Sequence, residues 1–232
     1  MPTFSRRQFL KFSALTALSF TAAALPKPAF AAEPQALFST SPASNKIALT
    51  FDDGYVNVNR LLDVCRAADV RVTLFPIGKL IAAHPAVWKR AVDEGHEIGC
   101  HTFSHPALGG QPYEVVAREL EQFMSAARQH LGLERVAYFR PPYGSGWKDE
   151  AVQKAAKNFG MSVIMWNRTN EAKKINPKPL AKDVLENFKQ TAQAGDIFLY
   201  HFHWQEVAAL KNMVAYCRAQ NWQVSKISEM LG

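Results

Sequence analysis

Apolar and polar positions along this chain fall into two kinds of block, short β-rich runs and longer stretches with helical spacing. Residues 47–51 form an apolar run closed by Asp52-Asp53-Gly54. Residues 56–68 then carry Val58, Leu61, Leu62 and Cys65 at helical intervals. A second strand is predicted over 70–77, a helix over 86–93 that Gly95 stops, and a third strand over 96–102. The longest helix is predicted over 112–131, with Val115, Val116, Leu120, Phe123, Met124 and Ala127 on one side. Strands over 136–139, 161–166, 196–202 and 222–227 then alternate with helices over 148–158, 180–194 and 206–219. Seven strands alternating with helices predict a parallel α/β domain, either a barrel or an open doubly wound sheet. Both architectures put their chemistry in the loops that follow the strand C-termini.

The first 31 residues stand outside this pattern. Ser5-Arg6-Arg7-Gln8-Phe9-Leu10-Lys11 looks like a twin-arginine export signal, followed by an uncharged run over 12–25 and an Ala29-Phe30-Ala31 cleavage site. An ordinary secretory signal with adjacent arginines is the alternative, and the complete string argues against it. The uncharged run is too short for a stable membrane span. The expectation is a periplasmic or secreted protein that meets the twin-arginine translocase during export. Residues 32–44, with Pro34, Pro42 and several Ser, Thr and Ala, read as a flexible tether to one catalytic domain over 45–232.

Removing 31 of the 232 residues leaves 201, enough for one sizeable domain. It also changes the charge. The signal holds Arg6, Arg7, Lys11 and Lys27 and no acid, so the whole-chain +7 falls to +3, from 23 basic and 20 acidic residues. That balance, without a dense basic run, gives no reason to propose nucleic acid as a partner. Cys65, Cys100 and Cys217 make no disulfide framework and read as buried free thiols, one bridge remaining open as an alternative.

The reactive residues fall at the predicted strand ends: Asp52 and Asp53 after the first, His101 and His105 after the third, Arg140-Pro141-Pro142-Tyr143 after the fourth, His201 near the end of the sixth. Singly, each has a bland reading, as a turn, a helix cap, a rigid loop or a hydrogen-bonded histidine. Together at one end of a sheet they suit hydrolysis of an amide. One carboxylate and two neutral imidazoles offer a divalent ion three ligands and leave a position for water. A second carboxylate can take the proton of that water, a histidine can protonate the leaving amine, and an arginine keeps the base carboxylate ionised and oriented.

Thr50-Phe51-Asp52-Asp53-Gly54, His101-Thr102-Phe103-Ser104-His105-Pro106, Arg140-Pro141-Pro142-Tyr143-Gly144 and Gly195-Asp196-Ile197-Phe198-Leu199-Tyr200-His201 resemble, in order and separation, four motifs of the NodB-type polysaccharide deacetylases, a carbohydrate esterase family. The resemblance implies an irregular (β/α)7 barrel, zinc or a similar divalent ion on Asp53, His101 and His105, Asp52 as general base paired with Arg140, and His201 as general acid. It further implies a backbone N–H of Tyr143 that helps stabilise the oxyanion, and a polysaccharide as substrate. Tyr55, Trp147 and Trp204 are candidate sugar-stacking residues.

One motif departs. Trp166-Asn167-Arg168-Thr169-Asn170-Glu171-Ala172 lacks the Asp-Trp that such proteins carry after the fifth strand. Glu171 is the candidate replacement for the carboxylate that tunes the acid histidine, and 168–178, with Arg168, Lys173, Lys174 and Lys178, is expected to form a groove wall or a solvated loop. His203 is expected to line the groove, sharing the face of His201 if the strand continues that far. Hydrolysis of N-acetyl groups on an extracytoplasmic amino-sugar polymer, peptidoglycan or an exopolysaccharide, is the leading expectation. The alternatives are an O-acetyl, formyl or cyclic amide substrate, or a non-catalytic, metal-containing glycan-binding protein. Such a binding protein needs neither Asp52 nor His201.

Overall fold

The apolar run predicted over 47–51 becomes β1 (Lys46–Asp53), buried on both faces as a central parallel strand should be. The computed structural model describes residues 35–170 and 179–231. The predicted signal and Glu171 lie outside them. Against β1 pack β2 (Thr73–Pro76) and β7 (Ile197–His201), both parallel, and β8 (Gln223–Val224) pairs with its first residues. β3 (Glu97–Ile98) adds to β2 and β6 (Arg168–Thr169) to β7, giving the order β3-β2-β1-β7-β6. β4 (Tyr138–Phe139) and β5 (Ser162–Val163) form a separate parallel pair. A bridge from Cys100 to Phe139 joins the two sheets directly. The result is the expected irregular barrel, which hydrogen bonds among the described residues do not close.

Among the described residues the α-helices are α1 (Val58–Ala67), α2 (Gly78–Ala83), α3 (Pro85–Asp93), α4 (Tyr113–Leu131), α5 (Glu150–Asn158), α6 (Ala181–Thr191), α7 (Trp204–Ala219) and α8 (Ile227–Leu231). α4 shows how sequence dictates them. Val116, Leu120, Phe123, Ala127 and Leu131 bury one stripe, and Gly132, at φ 71°, ends the helix in the left-handed conformation. Burying each large apolar side chain contributes about 1.5–3 kcal/mol. α2 and β6 were not expected, being too short for a periodicity to show.

Residues 35–44, expected to belong to a tether, are instead docked on the barrel. The Leu37 N–H donates to the Val163 carbonyl (2.9 Å), the Met165 N–H donates to the Leu37 carbonyl (2.7 Å), and the Thr40 N–H donates to the Gly195 carbonyl (2.8 Å). The segment fits because Gly195 has no side chain: a Cβ there would sit 2.5 Å from the Thr40 carbonyl oxygen. Among the described residues no helix is long and apolar enough to cross a membrane. The three cysteines are free and buried, as expected. Burial pushes the Cys65 and Cys217 thiols up to about 12, so they are inert as nucleophiles at neutral pH.

Candidate metal centre and active site

Both carboxylates of Asp52-Asp53 reach the same space because the backbone breaks the strand's alternation. Asp53 sits at φ 81° and Gly54 at φ 96°, where a non-glycine residue is strained. A side chain at 54 would also collide with Trp88, whose ring carbon lies 2.3 Å from where a Cβ would be. The loop after β3 is strained likewise, with Thr102 at φ 64° and His105 at φ 67°. It is held by the Thr102 hydroxyl accepting the His105 N–H (3.0 Å) and by Glu119 of α4. The Glu119 carboxylate accepts the Phe103 and Ser104 N–H groups (3.0 and 2.8 Å) and the Ser104 hydroxyl (2.6 Å).

Asp53, His101 and His105 converge, with ligand atoms within 4.8 Å of one another. Asp53 Oδ1 lies 3.1 Å from His105 Nε2 and 3.5 Å from His101 Nε2. Two donors bound tetrahedrally to zinc stand about 3.3 Å apart. The carboxylate oxygen is buried and accepts no hydrogen bond among the described residues, the His105 contact being outside hydrogen-bond geometry. A buried orphan of that kind is costly unless a cation takes it. His101 Nδ1 lies 2.7 Å from the Arg140 carbonyl. A proton on that nitrogen, donated to the carbonyl, leaves Nε2 as a lone-pair donor. Burial drives the His101 ring below its ordinary pKa against the pull of Asp52 and Asp53, which favours the neutral ligand form. Burial raises the Asp53 carboxyl, but the facing His105, His101 and His201 rings outweigh it and hold it low. The residues fit a divalent ion.

Asp52 is held apart from this triad. Arg140, fully buried, donates from Nη1 to Asp52 Oδ1 and to the Thr50 hydroxyl (both 2.7 Å). Its Nε and Nη2 donate to the Ile164 and Met165 carbonyls (3.1 and 3.0 Å). The guanidinium also lies 4.2 Å from the Phe75 ring centre. Burial disfavours the Arg140 charge and Asp52 supports it. The other Asp52 oxygen stands 3.8 Å from His101 Nε2, facing the triad.

His201, in register with Asp52 across β1 and β7, places Nε2 3.9 Å from Asp53 Oδ2. The strand ends there. His203 is the N-cap of α7, so it does not share the strand face of His201. Glu206 of α7, buried, accepts the His201 backbone N–H (2.8 Å) and the Asn170 side-chain amide (2.9 Å). Sequence reasoning missed Glu206 and Glu119, because both sit on helices where a glutamate ordinarily faces water. Tyr143 is 72% exposed at φ 60°, its ring edge-on to His105 at 4.7 Å. Tyr55 and Trp204 are exposed beside the site loops, whereas Trp147 packs edge-on at 4.9 Å against Phe38 of the docked N-terminal segment. Arg168 is no groove wall: it pairs with Asp196 (3.0 Å) at the start of β7, the end away from His201.

Three donors that could hold a cation, flanked by an arginine-held carboxylate and a histidine at the C-terminal end of a parallel barrel, form an arrangement suited to hydrolysis. More particularly, the chain belongs to the polysaccharide deacetylase family, whose sequence profile matches residues 39–164. It is 30% identical over 188 residues to the peptidoglycan-N-acetylmuramic acid deacetylase PdaA of Bacillus subtilis, spanning 80% of this chain and 71% of that protein. It is 31% identical over 198 residues to the peptidoglycan-N-acetylglucosamine deacetylase PgdA of Listeria monocytogenes, spanning 82% of this chain and 39% of that protein. Among solved structures it resembles a CE4 family pseudoenzyme from Bacillus anthracis, with a TM-score of 0.78, 25% identity, and coverage of 86% of this chain and 69% of that one.

Proposed function

We propose that this protein is a metal-dependent deacetylase that removes N-acetyl groups from an extracytoplasmic amino-sugar polysaccharide, peptidoglycan or an exopolysaccharide. The observation that carries the reading is the orphaned Asp53 oxygen between His101 and His105, beside an Asp52 that Arg140 holds out of that triad. Asp53, His101 and His105 would hold zinc or a similar divalent ion. Such an ion, when bound, polarises an acyl carbonyl and makes water more acidic. Asp52 accepts the proton of the attacking water as its oxygen bonds to the acetyl carbon. The backbone N–H of Tyr143 supports the negative charge that develops on the acetyl oxygen. His201 donates a proton to the nitrogen as the C–N bond breaks, and acetate and a free amine leave.

The resemblance to a pseudoenzyme does not favour a binding role here, since the base, the acid and the three metal donors all converge. Acetate release from purified cell-wall and exopolysaccharide fractions tests the reading. Release is expected from at least one fraction, to be lost with a chelator and restored by zinc. Formate in place of acetate, or release that a chelator leaves untouched, overturns it.

The amino-terminal string supports export by the twin-arginine route with cleavage after Ala31. Arg6→Lys combined with Arg7→Lys is expected to leave the uncleaved precursor in the cytoplasm, as followed by fractionation and immunoblotting. Normal processing of the double variant would reject the route.

A further inference from the structure

Glu206 is the third residue of α7 and is 1% exposed. Taking a carboxyl group out of water is costly unless hydrogen bonds replace that water, so its contacts within the fold ask for a reason. A glutamate at this helix position ordinarily turns back to the N–H of its own cap residue, here His203. Glu206 reaches two residues further back: Oε2 accepts the His201 N–H (2.8 Å), while Oε1 accepts the Asn170 side-chain amide (2.9 Å). We propose that Glu206 is a positioning residue for the reaction, holding the His201 imidazole where it can hand a proton to the departing nitrogen. The inference rests on the deacetylase reading and deepens it.

Three observations carry it. First, the ring depends on its backbone. Among the described residues the His201 imidazole makes no hydrogen bond, Asp53 Oδ2 standing off at 3.9 Å, and the side chain is 34% exposed. Where the ring stands is therefore set by the end of β7. Second, the carboxylate is carried by a rigid element. Val207, Ala209, Leu210, Met213 and Val214 of α7 are all buried, so the start of the helix is fixed against the barrel. Third, the two oxygens fasten different segments. Asn170 follows β6 and His201 ends β7, so one side chain sets the spacing of both strand ends beside the site. A proton donor must come within about 2.6–3.2 Å of the atom it serves, a tolerance that a loose strand end does not meet.

The test compares the wild type, Glu206→Leu and Glu206→Gln on an N-acetylated glycan (oligomer or cell-wall fraction) and on para-nitrophenyl acetate. The nitrophenolate leaves without a proton, so only the amide needs a placed donor. Glu206→Leu removes both acceptors at similar volume. Its kcat on the amide is expected to fall by roughly 10- to 100-fold with KM and bound zinc unchanged, the scale of displacing a reacting group by about 1 Å. Turnover of the aryl ester should change little. Glu206→Gln keeps an acceptor for the His201 N–H, and a turned Asn170 can accept from its amide, so it should recover most of the amide kcat. Asn170→Ala cuts one tie from a loop rather than from a packed helix. It is expected to show the same amide-only loss at smaller size, and it decides the matter if Glu206→Leu does not fold. If the wild type releases no acetate from any glycan, the hydrolytic reading fails and this role falls with it. If the wild type is active but Glu206→Leu keeps its amide kcat, loses both substrates alike or loses its zinc, deacetylation stands and the positioning role is overturned. Glu206→Gln no better than Glu206→Leu overturns it equally.

Discussion

Asp52→Asn is expected to keep the metal and lose the reaction, with acetate release down by roughly 10²–10⁴-fold, the usual cost of removing a general base. His101→Ala and His105→Ala are expected to lose most of the metal as well as the activity. The difference follows from where the two carboxylates are spent. One Asp52 oxygen is engaged by Arg140 at 2.7 Å, and an asparagine carbonyl can accept that same N–H. The Asp53 oxygen has the imidazoles around it and no hydrogen-bond donor among the described residues. Elemental analysis of the purified variants beside their acetate release decides the matter. Stoichiometric metal in His101→Ala, or none in Asp52→Asn, would reverse the roles given to the neighbouring aspartates.

Arg140→Met is expected to lower stability by about 3–5 kcal/mol, the scale seen when one partner of a buried ion pair is removed. In a domain of this size that is a fall in Tm on the order of 10 °C. Asp52, 2% exposed, would be left as a buried charge without its partner, and the Ile164 and Met165 carbonyls would lose their donors. Arg140→Lys restores a charge but not the planar fork that meets four acceptors at once, so it should recover only part of the loss. Denaturant unfolding of both variants measures this. A loss below about 1 kcal/mol in Arg140→Met, the range of a solvent-exposed pair, would show that the guanidinium is not a structural hub.

Much of the site was legible because its residues stand at strand ends, where polarity interrupts apolar runs: Asp52 after Phe51, His101 after Cys100, Arg140 after Phe139. What was not legible depends on contacts that leave no periodic trace. Glu206 is five residues from His201 yet acts through a backbone N–H, and Glu119 clamps a loop fifteen residues earlier from the middle of a long helix. Left-handed backbone at Asp53, Thr102, His105 and Tyr143 is equally silent, since none of these is glycine. Several strands shrank from their predicted lengths. β3 stops at Ile98, before Gly99, which packs so closely on Phe75 that a Cβ there would lie 2.3 Å from the ring. β4 runs into Arg140-Pro141-Pro142, where two prolines offer no N–H for a ladder.

The docking of residues 37–40 between β5 and β7 sets where a shortened recombinant chain can begin. Composition alone invites a start near residue 45, the first position of the expected catalytic domain. A chain begun there would leave the Val163 and Gly195 carbonyls and the Met165 N–H without their partners. It would thereby expose the edge of β5 that β4 does not cover, the kind of surface on which chains pair with one another and aggregate. A chain begun at residue 35 or earlier carries its own edge cover.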